Sequence, residues 1–214
     1  MTRERIHSFT GVFPLSAYLL LHVYETSSAA SGRAAFIDGL HGRVLALEVL
    51  LVLLPLVVHA LLGLSLWARP SSPPSSPDPA AALRPYQSAA FRTIQRVTGV
   101  VVLAFLILHL GHTLALGAAG LGPGAIYDRL RADLGTPLYL GTYVTGIAAM
   151  SVHLGTGLPA AVRRFGFAAS DTAFLRARMI AGAVALIVFA VSINSLGHFA
   201  VGASFFGAAP GGTP

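Results

Sequence analysis

Five stretches of this chain carry no charged side chain, and each is long enough to cross a hydrocarbon layer that needs about 20 helical residues. They run Ile6 to Tyr24, Val49 to Ala68, Val97 to Leu116, Thr136 to Val162 and Met179 to Phe206. Of the 214 residues 55% are hydrophobic and 10% charged, too little charge to cover the surface of a water-soluble domain of this length. The expected fold is therefore an all-α integral membrane protein, a single transmembrane domain over 1–214, with helices at about 6–27, 44–68, 93–118, 136–163 and 174–206. The first span also fits a secretory signal peptide, with Arg3 and Arg5 before the apolar run and small residues from Ser27 to Ser31; a retained first helix is preferred.

All fourteen basic residues are arginine, and they fall between the apolar runs rather than in a patch that would suit nucleic acid. If five helices alternate, ten of them (Arg3, Arg5, Arg69, Arg84, Arg92, Arg96, Arg163, Arg164, Arg176, Arg178) share one side and four (Arg33, Arg43, Arg129, Arg131) the other. The bias of short cytoplasmic loops toward basic residues puts the N-terminus in the cytoplasm and the C-terminus outside. The 69–90 segment, opening RPSSPPSSPDP, reads as a Pro/Ser-rich cytoplasmic linker. Pro14 and Pro55 fall inside apolar runs, where each removes a helix hydrogen bond and should bend its helix. No internal repeat stands out.

The chain has no cysteine, which excludes thiolate-held iron–sulfur clusters, zinc–thiolate sites, disulfides and covalent heme attachment. A metal here must be held by histidine, carboxylate or thioether. Eight histidines are present, and a polar ring at membrane depth is costly enough to be a functional candidate. His59 and His153 each lie ten residues from a cytoplasmic arginine, Arg69 and Arg163, or roughly 15 Å in. His22 is seventeen residues from Arg5 and His109 thirteen from Arg96, roughly 20 to 25 Å in.

The first four helices thus carry one deep histidine each, in two depth-matched pairs. A b-type heme needs two imidazoles facing each other across a flat macrocycle, which opposed helices of a bundle supply. Zinc or copper would call for three or four ligands at one depth. The reading is a bundle around two stacked b hemes, with His59/His153 nearer the cytoplasm and His22/His109 nearer the outside. Gly63, Gly99, Gly155 and Gly157 near the ligands would allow close approach to the backbone. His7, His41 and His198 lie near membrane boundaries and are taken as non-ligands; so is His112, one turn from His109 and the closest competitor for its role.

Four stretches then carry a resemblance: RIHSFTGVFPLSAYLLLH at 5–22, ALEVLLVLLPLVVHALLG at 46–63, QRVTGVVVLAFLILH at 95–109 and SVHLGTGL at 151–158. Their order and spacing resemble the cytochrome b558 type of membrane anchor in succinate dehydrogenases and fumarate reductases, a five-helix, two-heme family, over nearly the whole chain. The resemblance implies heme ligation by His22, His59, His109 and His153, with the His59/His153 heme nearer an iron–sulfur subunit. It also implies a flavoprotein and an iron–sulfur partner carrying the FAD and the clusters, a bacterial inner membrane, and electron transfer to a quinone, menaquinone being favoured. Some fumarate reductases of this type carry a glutamate two residues before the fourth ligand, used in proton transfer; here that position is Ser151, so that route is not expected.

A quinone headgroup needs hydrogen-bond partners and, on reduction, protons. At the outer end the candidates are Tyr24, Glu25, Asp38, His41 and Glu48, the last eleven residues before His59 and matching a glutamate of the family. At the cytoplasmic end Gln95 and Arg96 are candidates for cofactor binding, Arg96 through a charge-assisted contact with a heme propionate. The competing readings are the cytochrome b anchor of another quinone-linked dehydrogenase or reductase, and a membrane transporter whose histidines relay protons.

Overall fold

The computed structural model describes residues 2–39, 49–68, 89–203 and 205–206. Seven helices are described: α1 (Arg3–Ser31), α2 (Arg33–Gly39), α3 (Leu50–Trp67), α4 (Ala89–Ala118), α5 (Pro123–Leu134), α6 (Pro137–Arg164) and α7 (Asp171–Val201). The linker expected at 69–90 lies outside the described residues up to position 88, and its last two residues already belong to α4.

Helix ends follow local chemistry. Thr2 accepts the Arg5 N–H at 3.3 Å and Ser170 accepts the Ala173 N–H at 3.1 Å, each satisfying an amide of a first turn. Pro123 and Pro137 open α5 and α6, where a missing N–H costs nothing. Gly202 closes α7 at φ 71°, a left-handed conformation that favours glycine.

Within α1 the chain forms a π turn, Gly11–Leu15, around Pro14. The Ser16 N–H donates to the Gly11 carbonyl, five residues back, and the Ser16 hydroxyl donates to the same oxygen at 2.7 Å. The bend expected at Pro14 thus takes the form of a widened turn that accommodates one extra residue. A second π turn, Val49–Leu53, precedes Pro55 in α3.

Among the described residues four helices are long and apolar enough to cross a membrane: α1, α3, α4 and α7. The sequence expected five. At 28 residues α6 has the length, but its glycines, threonines and Ser151 make it less apolar, and it packs along both α4 and α7 instead of facing outward on every side. The outward faces of the apolar helices carry large side chains in the open, among them Leu61, Ile107, Leu114, Met179 and Leu186. That inside-out distribution suits hydrocarbon, where such side chains lose nothing by exposure.

Two short helices had no counterpart in the sequence reading. At one end of the bundle α2 and α5 close over α7, with Phe36, Tyr127, Leu134, Leu196 and Phe199 packed together. Arg33 donates twice to the Asp128 carboxylate, at 3.0 and 3.1 Å, across this surface. That hydrogen bond holds the Asp128 carboxyl below its ordinary range. At the other end Arg164 of α6 donates to the Glu4 carbonyl at 3.2 Å and to Ser8, and Arg163 lies 4.9 Å over the Phe174 ring. The arginine-rich ends of α1, α6 and α7 therefore meet on one side.

Candidate heme sites

The four deep histidines come together in the pairs that their depth suggested. The ring centres of His59 and His153 are 6.3 Å apart with planes at 88°, and those of His22 and His109 are 5.9 Å apart at 71°. An iron about 2 Å from one nitrogen of each ring, with each ring centre about 1 Å further, separates the centres by about 6 Å. Both pairs have that spacing.

The ring nitrogens are also sorted. His59 Nδ1 donates to the His7 carbonyl at 2.9 Å and lies 3.3 Å from the Thr10 hydroxyl. His153 Nδ1 donates to the Gln95 carbonyl at 3.2 Å and lies 3.4 Å from the Thr98 hydroxyl. A carbonyl can only accept, so the proton sits on Nδ1 and the Nε2 lone pair stays available to a metal. At His153 the Gln95 amide nitrogen stands 3.4 Å from Nε2, a long contact that a metal would displace, and the Gln95 oxygen accepts from the Thr156 hydroxyl. In the second pair His109 Nδ1 meets the Tyr143 hydroxyl at 3.1 Å, a group that can accept from Nδ1 and so orient the ring.

Glycine makes room for the rings. A Cβ on Gly11 would stand 2.8 Å from His59 Cε1, and one on Gly99 would stand 3.0 Å from His153 Cε1. Among the described residues no group of three metal-ligating side chains converges, so these histidines offer pairwise ligation. An apolar groove of about 270 Å³ runs between α3 and α4, lined by Ala60, Leu103, Leu106 and Leu110 among others, Ala60 and Leu110 being sequence neighbours of His59 and His109. Two nitrogen donors per level, the separation and the apolar surroundings all fit heme b.

His112 is engaged elsewhere. Its Nε2 is 2.9 Å from Asp133 Oδ2 on α5, and Arg129 donates to the same oxygen at 2.9 Å. The His112 and Asp133 side chains are only 12% and 13% exposed. Burial works against the Asp133 charge, but the bonds from Arg129 and His112 outweigh it and hold the carboxyl below its ordinary range. This partner accounts for a histidine one turn from His109 without making it a ligand.

His7, read as a boundary residue, instead stacks on His59 at 3.9 Å and donates from Nδ1 to the His59 carbonyl at 3.0 Å. His198 pairs with the Tyr127 hydroxyl at 3.0 Å. Of the quinone candidates, Tyr24 is 76% exposed at the end of α1, Glu25 follows it, and Asp38 is exposed on α2. His41 and Glu48 lie outside the described residues. Arg96, beside Gln95 on α4, is half-buried. Tyr143 was missed by the sequence reading; its hydroxyl did not stand out in a helix that also carries Tyr139, several threonines and Ser151.

The chain is similar to the succinate dehydrogenase cytochrome b558 subunit of Bacillus subtilis (strain 168), 29% identical over 206 residues, covering 92% of this chain and 94% of that protein. That match supports the cytochrome b558 resemblance. The relative's name supports a cytochrome b membrane subunit of succinate dehydrogenase, an oxidoreductase complex whose other subunits would be its partners, and a cytochrome b implies heme b. No protein-family model and no solved structure matches the chain.

Proposed function

We propose that this chain is the di-heme cytochrome b anchor of a succinate:quinone oxidoreductase, passing electrons between an iron–sulfur subunit and membrane quinone. The observation that carries the proposal is the pair of cross-helix histidine contacts, at 6.3 and 5.9 Å between ring centres. Heme supplies reversible one-electron iron chemistry. The chain's own residues provide the axial nitrogens, hold the His59 and His153 rings by their Nδ1 and the His109 ring through Tyr143, and surround the pairs with apolar side chains that exclude water.

In this reading α6 is the fifth span, and the arginine-rich ends of α1, α6 and α7 face the cytoplasm and the soluble partners. His59 and His153 serve the level nearer those partners, His22 and His109 the level nearer the outer face. The FAD and iron–sulfur clusters belong to the partner subunits, since a chain without cysteine offers no thiolate for a cluster. Quinone binds near the outer end, where Tyr24, Glu25, Asp38, His41 and Glu48 supply hydrogen-bonding and ionisable groups.

Single replacement of each ligand by alanine, with heme counted per polypeptide in the purified complex, tests the reading. His59→Ala and His153→Ala lose one heme, and His22→Ala and His109→Ala lose the other. Full occupancy in any of the four would remove that residue from the ligand set.

A further inference from the structure

The openings of α1 and α4 are related. Ile6-His7-Ser8-Phe9-Thr10-Gly11-Val12 and Ile94-Gln95-Arg96-Val97-Thr98-Gly99-Val100 share isoleucine, threonine, glycine and valine in register. A shorter pattern links α3 and α6: Val58-His59 followed by Gly63, and Val152-His153 followed by Gly157. Such matches between apolar segments arise easily by chance, so contacts must decide whether they mean anything.

Several contacts correspond, although His7 donates to the His59 carbonyl where Gln95 meets His153 Nε2. Where α1 crosses α3, His59 gives its Nδ1 proton to the carbonyl of residue 7 and lies against Gly11, while His7 lies against Gly63. Where α4 crosses α6, His153 gives its Nδ1 proton to the carbonyl of residue 95 and lies against Gly99, while Gln95 lies against Gly157. In each crossing the threonine three residues after that carbonyl donates its own proton to helix carbonyls, Thr10 to Ile6 and His7, Thr98 to Ile94 and Gln95. Its oxygen therefore meets the imidazole as an acceptor, at 3.3 and 3.4 Å.

The spacing to the second histidine also differs, and the backbone explains it. His22 is eleven residues after Gly11, whereas His109 is ten after Gly99. One extra residue in an α-helix would turn a side chain by about 100° and carry it off the shared face. The π turn Gly11–Leu15 accommodates that residue, and His22 still meets His109. Both histidine pairs thus join corresponding positions of two units, α1 with α3 and α4 with α6.

We infer that the chain contains two copies of one helix-crossing unit, and that Thr10 and Thr98 are equivalent positioning residues that aim Nε2 of His59 and His153. This rests on the heme reading above. An acceptor on Nδ1–H makes an imidazole a stronger donor and favours ferric iron. Removing either hydroxyl should therefore raise the midpoint potential of one and the same heme.

The test is a redox titration of the heme bands in the purified complex for wild type, Thr10→Val, Thr98→Val, Thr10→Ser and Thr98→Ser, with heme stoichiometry for each. Both valine variants should raise the potential of the heme that His59→Ala removes, or lose that heme, leaving the other band unmoved; both serine variants should return to the wild-type value. Valine variants that act on different hemes or on neither, or serine variants that shift as far as valine, overturn the inference. A wild-type protein without two hemes refutes the functional reading instead, before any variant is compared.

Discussion

Gly11→Ala puts the ring-cradle geometry under direct strain. The added Cβ would lie 2.8 Å from His59 Cε1, 3.2 Å from Nδ1 and 3.7 Å from Nε2, whereas carbon atoms rest at about 3.5–4.0 Å. The ring must retreat by several tenths of an ångström. It cannot do so freely, because its Nδ1 is held by the His7 carbonyl at 2.9 Å and its face is stacked on His7 at 3.9 Å. Overpacking of this kind costs about 1–3 kcal/mol, and a buried N–H pulled off its acceptor costs about 1–3 kcal/mol more. A total of about 2–6 kcal/mol corresponds to roughly 30-fold to 10⁴-fold weaker retention at that level, at about 1.4 kcal/mol per factor of ten. Heme counted per polypeptide, with a reduced-minus-oxidised spectrum, should show the His59/His153 heme lost and the His22/His109 heme kept. Gly182→Ala is the control: a Cβ there meets nothing within 4 Å, so both hemes should stay. Two full hemes in Gly11→Ala would refute the cradle.

Other outcomes follow from the His22/His109 pair and from the Asp133 cluster. Tyr143→Phe removes the hydroxyl 3.1 Å from His109 Nδ1 and should change the midpoint potential of the His22/His109 heme alone, read by redox titration. Asp133→Asn should lower thermal stability by about 1–3 kcal/mol, because it weakens the acceptor shared by His112 and Arg129, with both hemes still present. Since the Asp133 carboxyl is held below its ordinary value, its contribution is present above about pH 4 and is lost as pH falls through the folded-state value. A melting-temperature series from pH 7 to 3 should therefore fall less steeply at its acid end in Asp133→Asn than in wild type.

The four paired histidines were legible because a titratable ring in an uncharged run stands out, and because depth along a helix can be counted from flanking arginines. The pairing of His59 with His153 and of His22 with His109 could thus be anticipated without any contact. Three other features could not. The unit repeated in α1–α3 and α4–α6 was hidden by one extra residue, by the exchange of His7 for Gln95, and by the intervening linker. The partner of His112 lies 21 residues further on, in a charged segment between the expected helices; it folds as the short helix α5 because Pro123 opens it and Tyr127 and Leu134 bury one face. Pro14 announced a bend, but whether the chain would kink or widen into a π turn depends on the Gly11 carbonyl finding both the N–H and the hydroxyl of Ser16. Span counting was affected by α6, whose small and hydroxylated residues serve helix contacts more than lipid.

The most direct measurement is the heme content of the purified complex, by a reduced-minus-oxidised spectrum and heme per polypeptide of this chain. Two low-spin b-type hemes per chain, separable by potential and lost one at a time with His59 or His22, are predicted. No heme, or a single heme that survives replacement of either pair, would contradict the di-heme assignment.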